Sequence, residues 1–317
     1  MRKMENPLNS ILRRQGFVML DGGLATELES RGAELDAQLW SASLLLDRPE
    51  LIQQLHFDYY EAGADVSITA TYQATFEGFA QKGIGRRQCE ELMRRAIHLA
   101  ASARDEFWES KKPGARCRPL VAASVGPYGA YLADGSEYRG DYGLSVSQLM
   151  DFHRPRLEVL VQSNPDLLAC ETIPSRKEAE ALLRSLEDFP GVSAWMSFSC
   201  CDATRTCGGD PFAECMEMVL ASSQIVAAGL NCTPPGYVTS LLNSVPETVR
   251  PLLAYPNSGE IWDAENRCWQ PDPRSASPAK DAVNWYEAGA RIIGGCCRTA
   301  PRDIEAMRKG LVDLVGE

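Results

Sequence analysis

The sequence predicts an α/β protein, a single-domain (β/α)8 TIM barrel. Eight short apolar runs rich in β-formers recur along the chain. A longer amphipathic stretch with helical spacing follows each, and no break in composition divides them. The chain of 317 residues exceeds the usual ~150 per domain, but barrels of ~250 residues or more form one domain.

The elements follow in order. A lead-in helix is expected within 1–16, with Asn6 as cap, Pro7 in its first turn and Gly16 just past its end, and the barrel domain is expected over 17–317. Strands are expected at 17–20, 65–70, 120–125, 166–170, 192–198, 225–230, 251–255 and 291–293. Helices are expected at 49–62, 87–108, 145–162, 175–186, 211–222, 236–244, 278–288 and 301–315. Pro49, Pro211 and Pro301 stand at helix starts, and Gly63 and Gly289 just past helix ends. Strand–helix alternation requires a parallel sheet covered by helices, and eight repeats favour a closed barrel over an open, doubly wound sheet. The nearest candidate for the phosphate-binding glycine loop of a doubly wound fold is Gly83-Ile84-Gly85, which lacks a third glycine and follows no strand. Two connections are long, 21–48 and 126–144. Loops beyond about 12–15 residues are usually functional or disordered. Tyr128, Tyr131, Tyr138 and Tyr142 argue against disorder in the second. Both lie at the end of the barrel where active sites are built.

Composition narrows the function. With 32 basic and 43 acidic residues the net charge is −11, which argues against nucleic acid or an anionic membrane as partner. The N-terminal stretch lacks the apolar run of a secretory signal, and no run is long enough for a transmembrane helix. Free thiols without an export signal predict a cytoplasmic protein. Eleven cysteines stand beside three histidines. His56, His98 and His153 all fall in predicted helices and read as structural, so thiolates are the expected ligands of any metal. Arg86-Arg87 and Arg94-Arg95 read as a solvated helix face.

Reactive residue types collect at the C-terminal ends of the strands. Asp21 ends the first, Thr71 and Tyr72 follow the second, Glu171 the fourth, Asn231-Cys232 the sixth, and Asn257 the seventh. Gly294-Gly295-Cys296-Cys297 end the eighth. In a barrel the eighth and first strands are neighbours and the sixth is two away, so one pocket can hold Cys232, Cys296, Cys297 and Asp21. Adjacent residues of a regular strand point to opposite faces, but two glycines let the backbone turn until both cysteines face the pocket. Three thiolates with one open position is the arrangement of a catalytic zinc. Spacing leaves a rival trio open, because Cys200, Cys201 and Cys207 follow the fifth strand with a Cys-Cys pair of their own. Cys89, Cys117, Cys215 and Cys268 read as ordinary thiols, and Cys170 as part of the fourth strand. For Asp21 and Glu171, binding an ammonium, acid–base work and capping a turn all remain open.

Several motifs resemble one family. DGGLATELESRG (21–32), GPYGAYLADGSEYRGDY (126–142), CETIPS (170–175), GLNCTPP (229–235), YPNSGE (255–260) and GGCCRT (294–299) are similar to those of the zinc-dependent homocysteine S-methyltransferases. NC followed by GGCC is the specific part, and the match runs over about 21–301. The YLADGSEY segment resembles the single-domain branch that uses S-methylmethionine or S-adenosylmethionine. The resemblance implies a (β/α)8 barrel and a Zn2+ held by Cys232, Cys296 and Cys297, which decides against Cys200 and Cys201. It implies contacts from Asp21 and Glu171 to the homocysteine amino group, and from Thr71 and backbone amides near Gly22 to its carboxylate. It places Asn231 and Asn257 in the pocket. The implied reaction is attack of a zinc-activated homocysteine thiolate on the methyl of a sulfonium donor, S-methylmethionine ahead of S-adenosylmethionine, giving methionine. Both products are neutral at sulfur, so no general acid is required. Aromatic faces stabilise cations, so contacts to the sulfonium are expected among Trp40, Tyr128, Tyr131 and Tyr138. Betaine-dependent relatives share the zinc motifs, but their longer C-terminal extension has no counterpart here. Folate- and cobalamin-dependent methionine synthases need further domains. A non-catalytic zinc or redox thiol protein is the alternative outside enzymes. No long heptad or isolated apolar helix marks an oligomer interface.

Overall fold

The computed structural model describes residues 6–35, 39, 41–114, 116–263, 268–270 and 277–316. The barrel strands are β1 (Val18–Met19), β2 (Val66–Ile68), β3 (Leu120–Val125), β4 (Leu167–Ile173), β5 (Ala194–Phe198), β6 (Ile225–Asn231) and β7 (Leu252–Tyr255). After an antiparallel hairpin of β8 (Ile261–Asp263) and β9 (Cys268–Gln270), β10 (Ala290–Ile293) completes the set. The order around the barrel is β1-β10-β7-β6-β5-β4-β3-β2, with parallel pairings. The ring closes between β1 and β2 through a bridge from Leu20 to Val66. There Asp65 N donates to Met19 O (2.6 Å) and Asp21 N to Val66 O (3.1 Å).

α1 (Asn9–Gln15) precedes the barrel, and α2 (Leu24–Ser30) and α3 (Leu44–Asp47) lie between β1 and the covering helix α4 (Pro49–Ala62). α5 (Phe76–Gln81) and α6 (Arg86–Lys111) follow β2, and α7 (Tyr128–Leu132) and α8 (Val146–Gln162) follow β3. The rest of the outer layer is α9 (Arg176–Leu186), α10 (Phe212–Leu220), α11 (Val238–Ser244), α12 (Pro278–Glu287) and α13 (Pro301–Val315). All eight predicted strands and eight covering helices are present. The short helices α2, α3, α5 and α7 were not read from the sequence because too few residues repeat for a helical period to emerge. β4 extends to Ile173, so Glu171 lies inside the strand rather than after it. The pairing register with β5 shifts between Cys170 and Ile173, where Thr172 adopts φ +60°. Among the described residues no helix is long and apolar enough to cross a membrane.

The two ends of the barrel are built differently. Leu8 and Ile11 are fully buried in one apolar cluster with the interior residues Val18, Ala122, Trp195 and Ile292. α1 thereby stoppers the N-terminal ends of the strands. The Asn6 side chain accepts from Leu8 N (2.9 Å) ahead of α1, and Gly16 at φ +78° ends it. Buried Asp65 ties this end together. Its Oδ2 accepts from Gln15 Nε2 of α1 (2.6 Å) and from Met19 N of β1 (2.9 Å). Its carboxylate also pairs with Arg308 of α13 (3.2 Å) and Arg116 ahead of β3 (3.3 Å). Removing one partner of a buried ion pair leaves the other charge desolvated and uncompensated. Asp65→Ala is therefore expected to lower the unfolding free energy by about 3–5 kcal/mol, measured by denaturant titration.

His56 on α4 is fully buried and neither ring nitrogen has a hydrogen-bond partner. Burial pushes its pKa from 6.5 down to about 4. The unfolded chain binds that proton more readily than the folded one. Stability present above the unfolded value of 6.5 is therefore lost progressively as pH falls towards about 4. His56→Leu is expected to flatten the acid-induced fall in Tm across this window, read by thermal melts in a pH series. An unchanged slope contradicts the assignment.

Candidate active site

A cavity of about 340 Å³ opens at the C-terminal ends of the strands. Its wall is formed by Gly22 and Gly23 after β1, Thr69 and Tyr72 after β2, and Glu137 and Tyr138 from the long β3 loop. Glu171 and Thr172 of β4, Asn231 and Cys232 at the end of β6, Tyr255 of β7, and Gly295, Cys296 and Cys297 after β10 complete the other side.

The Sγ atoms of Cys232, Cys296 and Cys297 lie within 4.8 Å of one another, and those of Cys232 and Cys297 are 3.7 Å apart. The local backbone explains how residues so distant in sequence meet. Cys232 N donates to Tyr255 O (3.3 Å) and Cys296 N to Pro256 O (2.8 Å), so both loops are pinned to the end of β7. A Cβ on Gly295 would fall 2.1 Å from Thr299 Cγ2, and one on Gly294 2.6 Å from Leu20 Cβ. Only glycine lets the chain leave β10 this close to β1. Cys232 itself takes φ +48°, a conformation uncommon outside glycine.

Asn231 braces this arrangement. Its Oδ1 accepts from Thr172 N (2.7 Å) and Ser197 Oγ (2.8 Å), and its Nδ2 donates to Thr172 Oγ1 (2.8 Å) and points at Cys296 Sγ (3.9 Å). One amide thus fixes the strained Thr172 of β4 and one of the three thiols. The Cys296 and Cys297 thiols hold Cys232 below the usual thiol range, and its charge raises theirs in turn. Tyr138 OH lies 3.1 Å from Cys232 Sγ, and that charge pushes its phenol far up. Among the described residues the wall carries no lysine, arginine or histidine. Three converging sulfurs with no cationic side chain beside them suit a soft divalent metal.

The carboxylates occupy distinct settings. Glu171 is 7% exposed; its Oε1 accepts from Ser124 Oγ and its Oε2 from Tyr255 OH (3.1 Å). Burial pushes its pKa up to about 7 against these two hydrogen bonds. Asp21 is buried behind the wall. Its Oδ2 accepts from Ile68 N (2.8 Å), its Oδ1 has no partner, and burial raises its pKa well above the usual carboxylate range.

The other residues singled out from the sequence are dispersed. Gly22 is on the wall, where a Cβ would fall 2.3 Å from Thr299 O. Thr71 lies behind it, with Oγ1 donating to Ser124 O (2.7 Å) and sharing a hydrogen bond with Thr69 Oγ1 (2.7 Å). Asn257 N donates to Thr233 O (3.1 Å), and its buried Oδ1 has no partner. Tyr128 packs edge-on to Tyr131 and Phe152, off the wall, and Tyr131 OH accepts from Gln81 Nε2 (2.9 Å). Trp40 lies outside the described residues. Cys200, Cys201 and Cys207 do not converge as ligands. Tyr72, noted in the sequence only as following the second strand, is on the wall, and Thr172, Tyr255 and Glu137 were not among the candidate site residues. Glu137 sits beside Tyr138 in the motif that carried the resemblance, a signal that was available.

Comparison with known proteins gives a consistent picture. The family model described as homocysteine S-methyltransferase matches residues 18–311. The homocysteine S-methyltransferase YbgG of Bacillus subtilis is 47% identical over 302 residues, 95% of this chain and 96% of that protein. The homocysteine S-methyltransferase of Escherichia coli is 46% identical over 306 residues, covering 96% and 98%. The crystal structure of the homocysteine methyltransferase MmuM from Escherichia coli in its metallated form superposes with a TM-score of 0.84 at 44% identity, covering 96% of this chain and 99% of that one. On its fold, its thiol-lined cavity and these matches, the chain is a methyltransferase and belongs to the homocysteine S-methyltransferase family.

Proposed function

We propose that the chain transfers a methyl group from a sulfonium donor to homocysteine, giving methionine, with Zn2+ held by Cys232, Cys296 and Cys297. The observation that carries this reading is the meeting of three Sγ atoms within 4.8 Å on a wall without cationic side chains. Zinc held there supplies a site at which a substrate thiol is deprotonated at neutral pH, where a free thiol of pKa about 8.5 is mostly protonated. Glu171, with Asp21 behind it, faces the homocysteine ammonium. The backbone at Gly22 takes its carboxylate, and Thr71, whose hydroxyl donates to Ser124 O, holds the adjoining end of β2 in place. Asn231 and Asn257 keep the β6 and β7 ends in register around the sulfur.

The attacking sulfur forms a bond to the donor methyl as the bond from that methyl to the donor sulfur breaks. The bonding pair stays on the donor sulfur, which leaves as a neutral thioether, and the thiol proton goes to solvent. No side chain has to protonate a leaving group, so the scarcity of histidine is no obstacle. The chain's contribution is orientation in a confined cavity and aromatic surface for the cationic sulfur, from Tyr138 and Tyr72 on the wall. A cavity of about 340 Å³ is at the low end of ligand pockets, about 300–1,000 Å³, which favours compact S-methylmethionine over a donor carrying a nucleoside. The ten cysteines described are unpaired, which suits a reducing, cytoplasmic compartment.

Purified protein, homocysteine and each of S-methylmethionine, S-adenosylmethionine and betaine are the direct test. Methionine is expected from a sulfonium donor, S-methylmethionine foremost. Methionine from betaine alone, or from none, contradicts the reading. Elemental analysis is expected to find about one zinc per chain, lost in Cys232→Ala and in Cys297→Ala. Full retention in both variants contradicts the ligand set. Glu171→Ala is expected to weaken homocysteine binding by about tenfold or more, the worth of a charge-assisted hydrogen bond, with zinc retained. Unchanged homocysteine affinity removes its role.

A further inference from the structure

One carboxylate of the wall holds neither homocysteine nor zinc in the proposed reaction. Glu137 lies in the short 3₁₀ turn Ser136–Tyr138 of the β3 loop and lines the same cavity as the three thiols. Its Oε2 is buried and accepts no hydrogen bond. Burying a carboxylate oxygen with no donor is costly, and such a cost persists at a site built to receive a cation. The backbone around it is well fixed. Its carbonyl accepts from Ser199 Oγ (3.3 Å), and a Cβ on Gly129 would fall 2.3 Å from Glu137 N. The carboxylate is therefore presented by a tightly packed turn.

Charge counting separates its role from that of Glu171. Homocysteine brings one cationic group, its ammonium. A sulfonium amino acid brings two, an ammonium and the sulfonium. The wall offers two carboxylates, Glu171 and Glu137, and no lysine, arginine or histidine among the described residues. Glu171 belongs to the barrel strand β4 and is held by Ser124 and Tyr255. Glu137 belongs to the loop whose next residue, Tyr138, has its hydroxyl 3.1 Å from Cys232 Sγ. The two acids approach the thiols from different elements, as two substrates that meet at one sulfur require.

We propose that Glu137 recognises the positive charge of the methyl donor, and so sets the enzyme's selectivity for a sulfonium substrate rather than for homocysteine. This rests on the proposed sulfonium-dependent reaction. The test is steady-state kinetics of the zinc-loaded wild type and Glu137→Gln, varying S-methylmethionine at saturating homocysteine and then the reverse. In Glu137→Gln the donor KM is expected to rise about tenfold or more while the homocysteine KM moves less than about twofold, the loss of one charge-assisted contact. Dimethylsulfonioacetate, a sulfonium without an ammonium, locates the contact. An equal rise with this donor assigns Glu137 to the sulfonium, and no rise assigns it to the ammonium. Should Glu137→Gln fail to fold, Glu137→Asp carries the test, with the donor KM raised and the homocysteine KM unmoved. A donor KM unchanged in a folded variant, or a homocysteine KM that rises equally, overturns the inference while leaving the proposed reaction intact. A wild type that forms no methionine from any sulfonium donor defeats the reaction and this inference with it.

Discussion

Three sulfur atoms held within 4.8 Å of one another are the constraint on which the rest of this structure depends. Only Cys232 is held towards the thiolate, with Cys296 and Cys297 as its hydrogen-bonded thiol partners, and the cavity wall offers no cationic side chain beside them. Bringing three side chains from two separate loops to one point requires unusual backbone around them. Cys232 and Thr172 sit at φ +48° and +60°, conformations that cost about 1–3 kcal/mol each outside glycine. The Tyr255 carbonyl holds Cys232, and both ends of the Asn231 amide hold Thr172. Gly294 and Gly295 give the approach of β10 to β1 that no side chain would allow. A closed barrel suits such a site because the ends of β6, β7 and β10 are held in register by their own ladders.

One half of the cavity is built from strand ends and the other is carried by the β3 loop. The loop is anchored by a buried polar group beneath it. Glu178 Oε1 accepts from Tyr128 N (2.5 Å) and pairs with His153 Nε2 (2.9 Å), and Arg156 donates to Gly126 O. Tyr128, Tyr131, Tyr142 and Phe152 pack over that group. These tyrosines give the loop a small apolar core of its own, which leaves Tyr138 as the aromatic residue of the segment that reaches the thiols.

Much of this was legible in the sequence. Parallel strands buried on both faces read as continuous apolar runs, so all eight strands and their helices could be placed within a few residues. Conclusions about the site were uneven. The residues alone left Cys200, Cys201 and Cys207 as rivals to the trio from β6 and β10, because spacing says nothing about which way a loop turns after its strand. Motif resemblance resolved that choice. Thr172 was missed because a register shift within β4 has no periodic signature. Of the four aromatic residues among which donor contacts were expected, Tyr128 and Tyr131 pack with Phe152 and Tyr138 is on the cavity wall, a division that no period reveals in an irregular loop. Glu137 was passed over because a lone acid in a polar turn looks solvated until burial is known.

X-ray absorption at the zinc edge of the protein as purified tests the central claim most directly. A tightly bound zinc whose first shell contains three protein sulfurs is the expected result. A shell of nitrogen and oxygen atoms, or a protein that retains no zinc after gel filtration, would contradict it.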